Sequence, residues 1–121
     1  WRPLAPSILE EYASDYIEQS FISPFMLHTF QVKADMKKKV SAIVHIDGTT
    51  RPQTVSKTNN PKYYKMINKF RAITGIPMVL NTSFNGAKAP IVCTPMDAVT
   101  SFFSNSTDVL AIGDFLVNKN E

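Results

Sequence analysis

The stretch NPKYYKMINKFRAITGIPMVLN, residues 60–81, decides the fold class. Asn60-Pro61 opens it as a helix start, with Asn as the cap and Pro at the first helical position, where its missing N–H costs nothing. Tyr63, Met66, Ile67, Phe70 and Ile73 then recur at spacings of three and four, the period of one helix face. Gly75 ends the helix, because glycine readily takes the left-handed conformation found there. Residues 77–81 follow as a short apolar run, which reads as a buried strand. A helix leading straight into a buried strand points to an α/β (α+β) sheet domain with packed helices.

Downstream, residues 82–89 (TSFNGAKA) are polar and loop-like, and 91–93 read as a short strand. Thr94-Pro95-Met96-Asp97 starts another helix by the same capping chemistry, with apolar Val99, Phe102 and Phe103. Residues 109–112 and 115–117 are closing strands on either side of Gly113-Asp114. Upstream, residues 1–6 are punctuated by proline and should be extended. Ser7-Ile8-Leu9-Glu10 matches a capping box and predicts a helix over 8–19, with Ile8, Leu9, Tyr12 and Tyr16 on one face. Residues 25–32 and 42–46 read as strands. The lysine-rich 33–39 reads as a short exposed helix or loop, and Asp47-Gly48 as a tight turn. Residues 50–56 read as a strand with Pro52 at its edge. The expectation is three helices and about seven short strands in one domain over 1–121, with no repeat or linker.

Composition narrows the function. The 121 residues are 44% hydrophobic and 19% charged, enough to bury a core. A net charge of +3 permits an anionic ligand but is too mild to demand nucleic acid. One cysteine, Cys93, excludes a disulfide framework and a cysteine-cluster zinc site. Its apolar neighbours suggest an inert buried thiol. His28 and His45 have no second His or Cys at ligand spacing, so no metal site is expected, and His28 reads as a structural residue of an apolar strand. No apolar run approaches the roughly 20 residues of a membrane span. The first ten residues carry no secretory signal, so a cytoplasmic location is expected.

Two segments could carry chemistry. In HIDGTTRPQ, residues 45–53, a strand ends in a turn and an Arg follows; Arg51 offers a planar fork of donors suited to phosphate or carboxylate. His45 could stand on the ligand side. In NTSFNG, residues 81–86, hydroxyl and amide side chains crowd beside a glycine after an apolar strand, and such a loop can hold anions. An ordinary turn with a solvated Arg, and a loop satisfying only its own backbone, remain open alternatives. Lys37, Lys38 and Lys39 read as a solvated charge run.

These residues resemble a known family. RPLAPS (2–7), ILEEYASDY (8–16), SPFM (23–26), HIDGTTRPQTV (45–55), NTSFN (81–85) and PIVCTP (90–95) occur in the same order in the C-terminal domain of O-carbamoyltransferases. These are the nodulation protein U type and the carbamoyltransferases of aminoglycoside and cephamycin biosynthesis. The resemblance implies a YrdC-like mixed twisted sheet that forms carbamoyl-adenylate from ATP, as its Mg²⁺ complex, and carbamoyl phosphate. A separate N-terminal actin-like domain, which holds the family's metal site, would transfer the carbamoyl group to a substrate hydroxyl. By the same resemblance Arg51 and Ser83 are the catalytic candidates. Asn85 joins Ser83 at the carbamoyl group or phosphate, Met26 lines the pocket, and Asn81, Thr82 and His45 complete the binding set. The family's active-site Lys and a glycine-proline-arginine segment would precede Trp1. The chain therefore resembles the later two-thirds of that domain, and by itself should be inactive. The competing readings are a non-catalytic nucleotide- or RNA-binding module and a plain interaction domain. A homodimer through an uncovered sheet edge is also open.

Overall fold

The computed structural model describes residues 4–86 and 88–119. They form seven short strands and three α-helices, an α/β arrangement. The described residues fall into two compact units divided between Thr82 and Ser83.

The first unit is built on strand β1 (Ala5–Leu9), all five residues of which are buried. It pairs in parallel with β4 (Gln53–Val55) and antiparallel with β5 (Met78–Asn81), giving a mixed sheet of order β4-β1-β5. Side chains alternate between faces along a strand, so Ile8 and Leu9 enter different clusters. Ile8 packs with Tyr16, Ile17, Phe30, Val32, Val40, Ile43 and Met78. Leu9 packs with Val55 and with Ile67 of helix α2 (Pro61–Thr74). A two-stranded ladder of β2 (Phe30–Gln31) and β3 (Thr49–Thr50) completes this unit.

The predicted helix over 8–19 is the largest correction. Its first two residues belong to β1, and Ser7 is no cap: its hydroxyl donates to Gln53, 46 residues away. Burying Ile8 and Leu9 on opposite sheet faces outweighs a local capping pattern, which the chain matches by chance. Only a 3₁₀ turn (Glu10–Tyr12) and one turn of helix α1 (Ala13–Tyr16) remain, and Ile17 is already extended and bridged to Val32. The strand predicted at 25–32 shrinks to Phe30–Gln31, because 23–26 are held by side chains of β4 and its approach. The strand predicted at 42–46 is instead a 3₁₀ turn, Ser41–Ile43. Val40 and Ile43, three apart, both reach the core, which a strand's alternation would forbid. The strand at 50–56 is split at Pro52 into the end of β3 and β4.

Helix α2 forms as its sequence predicts: Asn60 Oδ1 accepts from the Tyr63 N–H at 3.3 Å, and Gly75 closes it at φ 75°. In the second unit, helix α3 (Pro95–Ser104) opens with a full capping box between Thr94 and Asp97. It buries Ala98 and Phe102. The hairpin of β6 (Val109–Ile112) and β7 (Phe115–Asn118) turns at Gly113, and Lys119 Nζ lies 5.0 Å from the Phe102 ring centroid. Residues 91–93 form no strand, and Cys93 is exposed. Its N–H is engaged by Asp97 at the head of α3 rather than by a ladder.

Donation from the Thr94 N–H, with the Thr94 side chain and Cys93 N–H, holds the Asp97 carboxyl below its ordinary value. Its stabilising contribution is complete above the unfolded carboxylate range near pH 4 and is lost as pH falls through the depressed folded value. Urea melts across pH 2–6 should therefore show a smaller acid-side loss in Asp97→Asn than in the parent. In the same assay at neutral pH, Ile8→Ala should cost about 2–5 kcal/mol and Asn60→Ala about 1 kcal/mol.

Candidate functional site

One face of the mixed sheet carries both core and site. The register sets Ser7 beside Gln53 and beside Val79, and Ala5 beside Asn81. Alternation then puts Ser7, Leu9, Gln53, Val55, Val79 and Asn81 on a common face. Leu9, Val55 and Val79 are its apolar end, packed with Ile67 of α2. Ser7, Gln53 and Asn81 are its polar end.

Gln53 is the hub of that end. Its Oε1 accepts from Ser7 Oγ at 2.7 Å and from Asn81 Nδ2 at 2.9 Å, while its Nε2 donates to the Pro24 carbonyl at 3.1 Å. A second set of bonds ties the 23–26 segment to the same region. Thr54 N–H donates to the Ser23 carbonyl and Ser23 N–H to Thr54 Oγ1, both at 2.9 Å. Arg51 donates from one terminal nitrogen to the Met26 carbonyl at 3.3 Å. Asn81 Nδ2 also lies 3.7 Å from Met26 Sδ. Met26 holds φ at 56°, a region unfavourable for a side chain with a Cβ and found where surrounding contacts enforce it. Arg51 is otherwise exposed, and its remaining guanidinium nitrogens make no hydrogen bond among the described residues. Anchored at one nitrogen, the fork is positioned but still able to take an anion bidentately.

Three of the sequence-predicted residues, Arg51, Met26 and Asn81, thus share one bonded group. Sequence reasoning missed two members of it, Gln53 and Ser7. Both lie inside the quoted motifs, and the signal for Gln53 was its place two residues after Arg51, beyond the proline that precedes β4.

His45 stands in a different group, the turn ahead of β3. Asp47 Oδ1 accepts from the Thr49 N–H at 2.9 Å and from its hydroxyl at 2.7 Å. The Thr49 hydrogen is spent on that carboxylate, so the Thr49 oxygen accepts from His45 Nδ1 at 3.1 Å. That makes Nδ1 the donor, while Nε2 is buried and without a partner among the described residues. The Thr49 hydroxyl and N–H, with His45 close by, hold Asp47 below its ordinary value. Gly48 permits the turn with φ 81°.

Ser83 and Asn85 belong to the second unit. Ser83 is exposed. Asn85 Nδ2 closes its own loop on the Gly86 carbonyl at 3.0 Å and the Ala89 carbonyl at 3.2 Å, so any contact with a ligand falls to its side-chain oxygen. Thr82 is exposed at the end of the first unit. His28, read as a residue of an apolar strand, is instead exposed outside any strand, with its ring 5.0 Å from that of Phe21. Among the described residues no group of three or more His, Cys, Asp or Glu is placed to hold a metal ion. None of their helices is long and apolar enough to cross a membrane.

Comparison with known proteins covers nearly the whole chain. The family model described as carbamoyltransferase C-terminus matches residues 1–119. Nodulation protein NolNO of Sinorhizobium fredii is 44% identical over 98% of the chain, which spans 18% of that relative. Nodulation protein NolO of Bradyrhizobium diazoefficiens is 44% identical, again over 98% of the chain and 22% of the relative. Nodulation protein U of Sinorhizobium fredii is 39% identical over 70% of the chain and 15% of its own length. The chain therefore spans about a fifth of the length of the NolNO and NolO relatives. By these matches the chain belongs to the carbamoyltransferase C-terminus family.

Proposed function

We propose that this domain supplies part of the carbamoyl-adenylate-forming site of an O-carbamoyltransferase. In the proposed reaction water cleaves the bond between the carbamoyl and phosphoryl groups of carbamoyl phosphate, giving carbamate and free phosphate. A carbamate oxygen then bonds to the α-phosphorus of ATP, and pyrophosphate leaves. A separate actin-like domain passes the carbamoyl group to a substrate hydroxyl. What carries this reading is Arg51: a guanidinium tethered to the Met26 carbonyl beside the Ser7–Gln53–Asn81 network, in a chain of this family.

The chemistry suits the residues. Both substrates are dense in negative charge, and phosphoryl displacement depends on positioning and charge neutralisation more than on covalent catalysis. Arg51 neutralises phosphoryl charge. Gln53 is a positioning residue, because it fixes Asn81, Ser7 and the Pro24 carbonyl together. Asn81 and Met26 form the wall next to it, and His45 Nε2 offers a buried, unpartnered hydrogen-bonding atom. Ser83 orients carbamoyl or phosphate oxygens, with Thr82 beside it and the side-chain oxygen of Asn85 as a further contact. Mg²⁺ enters as part of the nucleotide complex. The bonded group around Arg51 contains no carboxylate to hold it separately, and Asp47 is engaged by Thr49.

Carbamoyl-phosphate-dependent exchange of pyrophosphate into ATP, measured on the full-length enzyme, tests the reading. Arg51→Ala should lower kcat/KM by about 100-fold or more, near 3 kcal/mol, and Arg51→Lys should not restore it. Exchange indifferent to both changes removes Arg51 from the reaction. Gln53→Leu should raise KM for carbamoyl phosphate more than it lowers kcat, with an unchanged far-ultraviolet spectrum. The 121-residue chain alone should show no exchange; measurable turnover by it would mean the site is complete within these residues.

A further inference from the structure

Two tetrapeptides, SPFM (23–26) and RPQT (51–54), lie bonded to each other in opposite senses. Thr54 is joined to Ser23, Gln53 to Pro24 and Arg51 to Met26. Each stretch has a proline in second place, and proline has no N–H to give to a ladder. Side chains stand in for the missing rungs: the Thr54 hydroxyl, the Gln53 amide and the Arg51 guanidinium. The result is one bonded unit with a clamp at its Thr54 end and the cation at its other end.

The clamp sits off the site. Thr54 follows Gln53 on β4, so its side chain takes the opposite sheet face, and it pairs in register with Ile8. It is 5% exposed and cannot touch a ligand held at the Ser7–Gln53–Asn81 end. Its Oγ1 accepts from the Ser23 N–H, and its N–H donates to the Ser23 carbonyl. The Ser23 hydroxyl is buried and makes no bond among the described residues, so Ser23 is gripped by its backbone alone. Pro24 fixes its own φ and keeps Ser23 away from helical backbone, which stiffens the stretch next to the grip.

Beyond the grip the backbone is strained. Met26 stands at φ 56°, with its carbonyl on Arg51 and its sulfur beside Asn81. Its neighbours do not hold it there by burial: Phe25 is 77% exposed and Leu27 75%. The left-handed conformation is held by polar bonds, upstream at Ser23 and Pro24 and at Met26 itself. Release of Met26 to an ordinary φ would re-aim its carbonyl, and with it the bond that anchors the guanidinium.

We infer that Thr54 is a positioning residue for Arg51, acting through the clamped Ser23–Pro24 backbone and the left-handed Met26. Its effect on rate rests on the proposed adenylation; its hold on the guanidinium does not.

Two readouts on the full-length enzyme decide this: pyrophosphate exchange, and the rate at which phenylglyoxal labels Arg51, followed by peptide mapping. Thr54→Val keeps the shape and removes the acceptor. It should lower kcat/KM for exchange by about tenfold and speed Arg51 labelling several-fold. Thr54→Ser keeps the hydroxyl and should restore both. In an Arg51→Ala background Thr54→Val should slow exchange no further, because the two residues act as one unit. An equal loss with and without Arg51 makes Thr54 merely structural and overturns the inference. So does Arg51 labelling that Thr54→Val leaves unchanged. If Thr54→Val fails to fold, Met26→Gly takes its place, since glycine adopts φ 56° without strain and frees the same carbonyl. Arg51 labelling should then speed up, and an unchanged rate overturns the inference. Exchange that ignores Arg51→Ala defeats the adenylation reading alone, and labelling still decides whether Thr54 holds the guanidinium.

Discussion

The first unit depends on a five-residue strand with no solvent face. Ala5–Leu9 is buried throughout, and everything around it answers that constraint. Ile8 gathers one layer and Leu9 the other, while its two hydrogen-bonding edges are taken by strands that arrive 44 and 69 residues later in opposite senses. A parallel partner on one side and an antiparallel partner on the other also settle which side chains meet. Ser7, Gln53 and Asn81 come from remote parts of the chain and become neighbours only because β1 stands between the other two strands.

That arrangement explains why core and candidate site share a face. Leu9, Val55 and Val79 make it apolar under α2, and two residues along each strand the side chains become Ser7, Gln53 and Asn81. The rigid packed end thereby sets the geometry of the polar end. Gln53 then extends the order outward, since its amide and that of Thr54 hold the Ser23–Pro24 backbone, and Arg51 holds the carbonyl of a strained Met26. A loop fastened at four places offers a ligand a fixed wall at little further entropic cost.

Legibility in the sequence followed the range of the forces involved. Helices α2 and α3 and the last hairpin were readable because their signals are local: Asn60 with Pro61, Thr94 with Asp97, and Gly113 at the turn. Residues 7–10 misled for the opposite reason. A capping pattern within four residues lost to burial of Ile8 and Leu9 on two sheet faces, a demand that arises only once the distant β4 and β5 are in place. Val40 and Ile43 misled in the same way, their three-residue spacing being decided by the core and not by propensity. Of the site, spacing alone offered an Arg after a turn and a polar loop after a strand. Met26 came from family resemblance, and its bonded grouping with Arg51 and Asn81 only from the structure. Gln53 went unnoticed because a glutamine becomes a hub only through partners 29, 46 and 28 residues away.

The exposure of Cys93 has a practical side. It is the chain's only thiol, and it stands one residue before the residue that caps α3. Its backbone N–H is held by Asp97, so the position is ordered while the sulfur is reachable. These 121 residues thus carry a single-site attachment point for a fluorophore or spin label, set at a defined helix end. Reporters placed there on the 121-residue chain need no engineered cysteine and leave Arg51 and Gln53 chemically untouched.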